Sequence, residues 1–330
     1  MMHRLLLVSV WLGACGSQAK DPADTGGAAS ADTADGPICG SDEDVLELAW
    51  PLGGTSGQDW VVVNYVDLDP GEGVSDWTGH TGALAKTYDG HQGVDIGLSS
   101  FRAMDLGVPI LAAAPGVVET VIDGYEDRHT ECVDYNANVV SVRHPAGALL
   151  QYVHMRTGST AVEVGDWVDV GDVLGEVGSS GCSTGPHLHF EVTSPAQDFV
   201  SPYLEDLWCE PPVYDTPMTF MESWLLVGPE ELYDNPTQDP PQETAVYSPG
   251  ETLMAYAVLG GGVAGDEISV TFDGPGGAVV GPWPIVFDQT WRLTTWSWWF
   301  TVSEPAGEWR LTYSVNEEPV VQRRFEVQAR

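Results

Sequence analysis

The sequence predicts an all-β protein, with an antiparallel two-sheet domain followed by a small β-sandwich domain. From about residue 44 onward, short apolar runs rich in β-branched residues alternate with turns rich in Gly and Asp, a pattern typical of antiparallel strands. No long stretch has a convincing helical period. The chain has 330 residues, more than one average domain, so we expect two folded domains and an unfolded tail.

The first domain is assigned to residues 41–210. Five apolar runs define its strands, at residues 108–112, 116–122, 138–143, 148–154 and 173–177. Strands become rare after about residue 202, where a Pro-rich, acidic stretch begins. We therefore assign residues 211–247 to a connector, with one candidate strand at residues 218–226.

The second domain is assigned to residues 248–330. Apolar runs resume there, at residues 253–259, 267–272, 294–302, 308–314 and 320–327, and short strands separated by turns are typical of an Ig-like β-sandwich. Its six tryptophans could form a ligand platform or fill the core of the sandwich; they are Trp283, Trp291, Trp296, Trp298, Trp299 and Trp309. Because this domain carries no candidate nucleophile, no candidate pair of general bases and no cluster of metal-binding residues, we expect it to be accessory.

The charge of the chain is strongly negative, with 49 acidic residues against 12 basic ones. A nucleic-acid-binding protein needs a basic surface to neutralise phosphates, so we exclude nucleic acid as a partner. The acidity fits either high solubility or a salty habitat, and neither property identifies a function.

The N-terminus has the features of an export signal. The segment at residues 1–4 is short and basic, and the apolar run that follows, at residues 5–12, is too short to span a bilayer. We therefore assign residues 1–14 to a signal peptide. The Leu-Gly-Ala-Cys sequence ending at Cys15 resembles a bacterial lipobox, in which the cysteine is lipidated; an ordinary signal peptide with a chance cysteine is the alternative. Residues 15–40 are rich in Ala, Gly, Asp, Thr and Ser, as in a flexible tether.

These features predict a lipoprotein of the cell envelope. The lipid on Cys15 would anchor it either in the outer membrane, facing the periplasm, or at the cell surface. No other segment is apolar enough to be transmembrane.

Four cysteines remain in the exported chain. An even number indicates disulfides, and four cysteines allow three pairings. We favour a bond between Cys132 and Cys182 within the first domain and a bond between Cys39 and Cys209 that ties its two ends. A structural zinc site is not expected, because no CxxC spacing occurs.

Two short motifs carry side chains that bind metals. His91 and Asp95 are four residues apart, and Gly93 between them would let the chain turn so that both side chains converge; alone, this pattern is weak. His187 and His189 are two residues apart, and on a strand they would face one side. A pair of surface histidines is the alternative for the second motif.

A further histidine, His154, ends a predicted strand after a turn at residues 145–147, which would fold it back over the sheet. A catalytic zinc needs three protein ligands and an open position for water, whose pKa the metal lowers to about 7. Two imidazoles and one carboxylate suit this task. Two remaining histidines could then move protons and stabilise an oxyanion.

With these motifs in place, the chain resembles the lysostaphin/LytM-type zinc endopeptidases, which cut peptide bonds in peptidoglycan. The resemblance runs from about residue 50 to residue 202 and rests on five blocks in the family's order, at residues 88–95, 108–116, 151–155, 164–175 and 178–192. It implies a LytM-like two-sheet fold (a duplicated hybrid motif) with a groove walled by loops, and hydrolysis by a metal-activated water.

The resemblance also implies roles for the five candidate residues. His91, Asp95 and His189 would bind one zinc ion. His154 and His187 would form the catalytic pair that does not bind the metal, with one acting as general base; the division of roles between them stays open.

Two further features lie near the implied groove. Some members have a tyrosine about six residues before the first ligand, thought to assist the transition state. That position is Ala85 here, and Tyr88 is the nearest candidate for the role. A bond between Cys132 and Cys182 could stiffen a wall of the groove or be a remote staple.

Three acidic residues, Asp123, Glu126 and Asp127, cluster in one predicted loop. They could bind calcium or form a solvated acidic loop, and the ligand pattern of an EF-hand is absent.

We therefore expect a monomeric zinc endopeptidase acting on the stem peptides of peptidoglycan. One alternative is a catalytically silent wall-binding or amidase-activating envelope protein, because some relatives have lost ligands; all five candidate positions are present here. Another is cleavage of foreign Gly-rich peptides, although a lipid tether suits remodelling of the cell's own envelope better.

Overall fold

The structure, a computed structural model, describes residues 39–132, 135–228, 243–303 and 305–329. The predicted signal peptide, the lipobox and almost all of the tether lie outside these residues. Eighteen strands and one five-residue helix, α1 (Phe101–Asp105), make up the regular structure together with short 3-10 turns, which confirms the predicted all-β class. No helix in these ranges has both the length and the apolarity to cross a membrane.

The first domain is built on one large antiparallel sheet. Its strands are β1 (Trp60–Asn64), β2 (Val94–Leu98), β3 (Pro109–Leu111), β4 (Gly116–Ile122), β5 (Val139–Arg143), β6 (Leu149–Val153), β7 (Trp167–Val168), β8 (Val173–Glu176), β9 (His187–Thr193) and β10 (Phe199–Val200). The main sheet has eight strands in the order β1-β2-β9-β6-β5-β4-β7, and β10 pairs with β9. Strands β3 and β8 form a separate antiparallel pair.

Strand β9 shows how alternation builds the core of this domain. Leu188 and Phe190 are fully buried, at 0% exposure, in the main hydrophobic cluster. The side chains of a strand alternate between its two faces, so His187 and His189 lie on the opposite face, as predicted.

The second domain has two sheets around a shared core. Its strands are β11 (Thr219–Val227), β12 (Val246–Tyr247), β13 (Thr252–Gly260), β14 (Glu267–Asp273), β15 (Val279–Val286), β16 (Leu293–Thr301), β17 (Gly307–Val315) and β18 (Glu318–Val327). One sheet has the order β11-β13-β16 and the other β12-β18-β17-β14-β15. Trp296, Trp298 and Trp309 are buried in the core, so the core interpretation is confirmed for them; Trp299 is 40% exposed.

Strand β11 starts the second domain earlier than expected. It lies within the residues assigned to the connector, near the candidate strand at 218–226, and pairs with β13 along its length. Its apolar side chains are buried on both faces: Leu225 packs in the main core, and Trp224 and Leu226 pack in a smaller cluster on the other side. The connector is therefore shorter than 211–247, and residues 229–242 of it lie outside the described ranges.

Side chains of β11 and of the loop before β16 contact the first domain. The Ser99 hydroxyl donates to Glu222 Oε2 at 2.9 Å, and Arg292 Nη1 donates to the Val63 carbonyl at 2.6 Å. A Cβ atom at Gly260 would lie only 2.5 Å from the Val61 side chain. The second domain is thus packed against β1 and against the residue that follows β2.

Glu222 gives this interface a pH dependence. Its Oε1 atom is buried and has no hydrogen-bond partner in the described residues, and burial raises the pKa of the carboxyl to about 7. The folded pKa exceeds the unfolded value, so the folded protein binds more protons between about pH 4.5 and 7, and stability falls as pH rises through that window. Removing the charge should relieve a cost that develops through that window and is fully present above it.

Glu222→Gln is therefore expected to raise the free energy of unfolding by about 1–3 kcal/mol at pH 8 and to change it little at pH 4.5. Denaturant unfolding of wild type and variant at both pH values measures this. Glu318→Gln, which removes an exposed carboxylate of the same domain, controls for the high net negative charge. A gain of equal size at both pH values would show that the Glu222 charge is not the cause.

Candidate metal centre

The order of three neighbouring strands brings the candidate residues to one place. Asp95 on β2 is directly opposite His189 on β9, and Val153, at the end of β6, is opposite His189 on the other side. His154 follows Val153, and His91 lies three residues before the first residue of β2. The strand order β2-β9-β6 therefore collects motifs that are far apart in the sequence.

His91, Asp95 and His189 form a compact group of donor atoms. One atom from each lies within 4.8 Å of the others. Asp95 Oδ1 is 3.1 Å from His91 Nε2 and 2.9 Å from His189 Nδ1, and the two nitrogens are 3.2 Å apart. Two imidazoles and a carboxylate are a ligand set of catalytic zinc sites, and the three residues predicted as ligands are those brought together.

The outer atoms of the two imidazoles have partners that orient them. His91 Nδ1 is 2.7 Å from the Tyr65 carbonyl. A carbonyl only accepts, so neutral His91 keeps its proton on Nδ1 and its lone pair on Nε2, which faces the other two ligands. His189 Nε2 lies 3.7 Å from Glu191 Oε2. Outer partners of this kind are typical of metal-binding histidines, so the donor set fits a cation.

The electrostatics of the group favour a bound cation. Burial alone would raise the pKa of Asp95, but the neighbouring histidines hold it well below its usual range, so the carboxylate is ionised. Burial alone would lower the pKa of His189, but its hydrogen bond with Asp95 and the nearby carboxylate of Glu191 raise it to about 9. The cluster thus stabilises positive charge, and a metal binding at neutral pH displaces a proton.

His154 and His187 lie side by side next to this group. Their ring centroids are 4.5 Å apart, and His187 Nε2 is 3.6 Å from Asp95 Oδ1. His154 Nδ1 donates to the Ser180 carbonyl at 2.6 Å and His187 Nδ1 to the Gly185 carbonyl at 2.8 Å. Each neutral ring therefore keeps a lone pair on Nε2. Burial lowers the pKa of both residues, so both are able to accept a proton at neutral pH.

His154 has a strained backbone. Its φ is 66°, in the left-handed region that residues other than glycine rarely adopt. Such strain is characteristic of functional sites. The hydrogen bond to Ser180 holds the residue in this conformation, so the loop that carries Ser180 positions His154.

The disulfide between Cys132 and Cys182 fastens that loop. His129 Nδ1 also donates to the Gly181 carbonyl at 2.6 Å, so two adjacent links join the loop before β9 to residues 129–132. The bond therefore lies next to the loop that positions His154 and is not a remote staple. The second disulfide joins Cys39 to Cys209, close to the two ends of the first domain. Both bonds have the pairing favoured from the sequence.

Gly93 has a different role from the turn predicted between the ligands. A Cβ atom there would lie 2.6 Å from His189 Nε2 and 2.7 Å from the Phe190 carbonyl. The absence of a side chain lets β9 and the His189 ring approach the chain between His91 and Asp95. Gly93 is therefore needed for this close approach of β9. It is not needed to turn the chain, because pairing of β2 with β9 already holds Asp95 in place.

Tyr88 lies at the rim of the group. Its ring centroid is 4.4 Å from that of His91, and it is 52% exposed. Partial burial of the side chain, followed by the negative charge of Asp95, raises its pKa, so the phenol stays a hydrogen-bond donor. Ala85, at the position where some family members have a tyrosine, is buried at 4% exposure and has no hydroxyl. Tyr88 therefore remains the candidate for that role.

The acidic loop at residues 123–127 is part of the fold. Asp123 accepts from Gly158 N and Thr160 Oγ1, and Asp127 accepts from Thr157 N. These bonds tie the loop to residues 157–160. Among the described residues, the ligand-like group of three is the one formed by the histidines and Asp95, so the structure gives the calcium alternative no support.

One residue of the site was missed from the sequence. Asn64, at the end of β1, donates from Nδ2 to Asp95 Oδ2 at 2.7 Å. It belongs to no motif, and it meets Asp95 only because β1 pairs with β2 across an irregularity in register. The alternation of β1 could at most have placed it on one face of a strand.

Part of the first domain matches a known protein family. Residues 89–202 match the family described as Peptidase family M23. The peptidoglycan DD-endopeptidase ShyC of Vibrio cholerae is 36% identical over 86 residues, 26% of this chain and 17% of that protein. The DD-carboxypeptidase/endopeptidase Mpg of Neisseria meningitidis is 36% identical over 108 residues, 33% of this chain and 21% of that protein.

A third relative, lysostaphin of Staphylococcus simulans, is 32% identical over 102 residues, 31% of this chain and 17% of that protein. The matched part of the chain thus spans about a fifth of the length of these relatives. Among solved structures, the catalytic domain of the prophage-encoded M23 protein EnpA from Enterococcus faecalis aligns with 48% of this chain and 95% of its own, at 24% identity and a TM-score of 0.32.

Proposed function

We propose, from the peptidase family M23 domain that residues 89–202 form, that this protein is a zinc-dependent endopeptidase that hydrolyses peptide crosslinks of bacterial peptidoglycan. The observation that carries the proposal is the convergence of His91 Nε2, Asp95 Oδ1 and His189 Nδ1, with two further neutral histidines alongside. Binding to the cell wall alone would not require three converging metal-ligand atoms with two further histidines beside them.

The ligand triad would hold the ion and leave a position open to water. A zinc ion there would supply Lewis-acid polarisation of the scissile carbonyl and would lower the pKa of a water molecule. His154 and His187 can do the proton transfers, because each has a lone pair on Nε2. One accepts the proton of the attacking water and then, as an imidazolium, delivers it to the amide nitrogen as the C–N bond breaks. The other supports the charge that develops on the carbonyl oxygen.

The substrate class follows from the relatives. ShyC is named a peptidoglycan DD-endopeptidase and Mpg a DD-carboxypeptidase/endopeptidase, and we extend cleavage of peptidoglycan stem peptides to this chain. A protein tethered to the envelope by a lipid on Cys15 would work on the adjoining wall. The partners are then the peptide crosslinks of the wall and, through the lipid, the membrane.

Incubation of the zinc-loaded protein with peptidoglycan of known crosslink type, followed by mass spectrometry of the products, tests the proposal. The expected products are crosslinked fragments split by the addition of one water at a peptide bond. Binding to the wall without any new amine or carboxyl end would favour the alternative of a silent wall-binding or amidase-activating protein.

The anchor is tested separately. Cys15→Ser is expected to move the protein from the membrane fraction to the soluble fraction, because a chain without acyl groups has nothing that inserts into the bilayer. Fractionation with immunodetection, together with metabolic labelling by a fatty-acid analogue, measures the change. Wild type that is soluble and unlabelled would mean that residues 1–14 are an ordinary signal peptide.

A further inference from the structure

The two oxygens of Asp95 have different surroundings. Oδ1 faces the imidazoles, at 2.9 Å from His189 Nδ1 and 3.1 Å from His91 Nε2. Oδ2 faces the other way and accepts a hydrogen bond from Asn64 Nδ2 at 2.7 Å. The carboxylate therefore presents one oxygen to the candidate cation, while the other is held by an amide.

The second domain reaches this amide. Arg292 Nη1 donates to Asn64 Oδ1 and to the Val63 carbonyl, the latter at 2.6 Å. The backbone around Arg292 is itself held, since Gly261 N donates to the Arg292 carbonyl at 2.8 Å and Trp291 N donates to the Gly262 carbonyl at 3.0 Å. A continuous chain of hydrogen bonds thus runs from the second domain to a candidate metal ligand.

The guanidinium determines which way the amide points. Arginine has only donors, so the atom of Asn64 that faces it must be the oxygen. The amide NH₂ group of Asn64 is then left facing Asp95, where it can donate. With the opposite orientation, the amide oxygen would face the carboxylate oxygen, and two acceptors would repel each other.

We propose that Arg292 and Asn64 are positioning residues that hold the Asp95 carboxylate with Oδ1 directed at the metal, so that the second domain completes the metal site of the first. This inference rests on the proposed function, since it concerns affinity for the same ion. Outer partners of metal ligands typically contribute 10- to 100-fold in metal affinity. The second domain is then part of the site's support, which differs from the accessory role expected from the sequence.

The test is the zinc dissociation constant of the full chain, measured by competition with a chromogenic chelator. Asn64→Leu, of similar size but without hydrogen bonds, is expected to weaken zinc binding by about 10- to 100-fold. Arg292→Met should weaken it by at least about threefold. Because Arg292 acts through Asn64, the double variant should bind as weakly as Asn64→Leu alone, within about twofold. Arg310→Met is the matched control: this exposed arginine pairs with Asp273 in its own domain, and its loss should leave the constant unchanged.

Several results would overturn the inference. One is an Arg292→Met variant that binds zinc as tightly as wild type. Another is a double variant in which the losses of zinc affinity from Arg292→Met and Asn64→Leu add in full. If Arg292→Met does not fold, Asn64→Leu carries the test alone, and an unchanged constant in that variant would equally overturn the inference. Wild type that fails to bind zinc would overturn the proposed function as well. Zinc binding that responds as expected in a protein without hydrolytic activity would overturn only the endopeptidase proposal.

Discussion

His189→Ala is expected to lose bound zinc and hydrolysis together. The substitution removes one of three donor atoms and leaves Asp95 without the imidazole that lies 2.9 Å from its Oδ1. Since the ion supplies several kcal/mol of transition-state stabilisation, kcat/KM should fall by at least about four orders of magnitude. Metal analysis and peptide hydrolysis on the same preparation measure the two losses.

The control for this variant is His80→Ala. His80 is exposed, and its Nδ1 is 3.1 Å from the hydroxyl of Tyr214, so its removal deletes an imidazole outside the metal group. It should keep both zinc and activity. Unchanged zinc content in His189→Ala would show that the ligand set is wrong.

His187→Ala and His154→Ala are expected to separate metal binding from chemistry. Neither residue belongs to the group formed by His91, Asp95 and His189, so both variants should retain zinc. The kcat should fall by roughly two to four orders of magnitude in each, the usual contribution of a general base or an oxyanion donor. Zinc occupancy and kcat are to be compared in one preparation series.

The two variants can fail in different ways. Loss of zinc from His187→Ala, to the same extent as from His189→Ala, would move His187 into the ligand set. His187 Nε2, at 3.6 Å from Asp95 Oδ1, is close enough to make this a real test. Full kcat in His154→Ala would make that residue a bystander, and the mechanism with two histidines would then be wrong.

Local periodicity accounts for the strands that the sequence predicted. The five runs of the first domain correspond to β3, β4, β5, β6 and β8, because apolar side chains at alternate positions fill one face of a sheet. Strand β15 was missed because Pro282 and Pro284 lie within it, and proline is excluded from central strands. It occurs here at the end of the five-stranded sheet, where a missing N–H costs little.

The residues of the candidate site also differ in whether the sequence alone could identify them. His91, Asp95, His187 and His189 could be found because each pair is a short motif in the sequence. Asn64 could not be found: it is 31 residues from Asp95 and 228 from Arg292, and only strand pairing and domain packing bring the three together. Contacts set by tertiary structure leave no local pattern, even when they reach a residue that a motif has already identified.

The most direct measurement is the hydrolysis of a crosslinked stem-peptide dimer as zinc is returned to the metal-free protein. Activity should rise in proportion to bound zinc and saturate at about one equivalent per chain, as expected for a single catalytic site. His187→Ala should take up the same equivalent and remain slow. Full-rate hydrolysis by the chelator-treated protein, or saturation with zinc without any cleavage, would contradict a zinc endopeptidase.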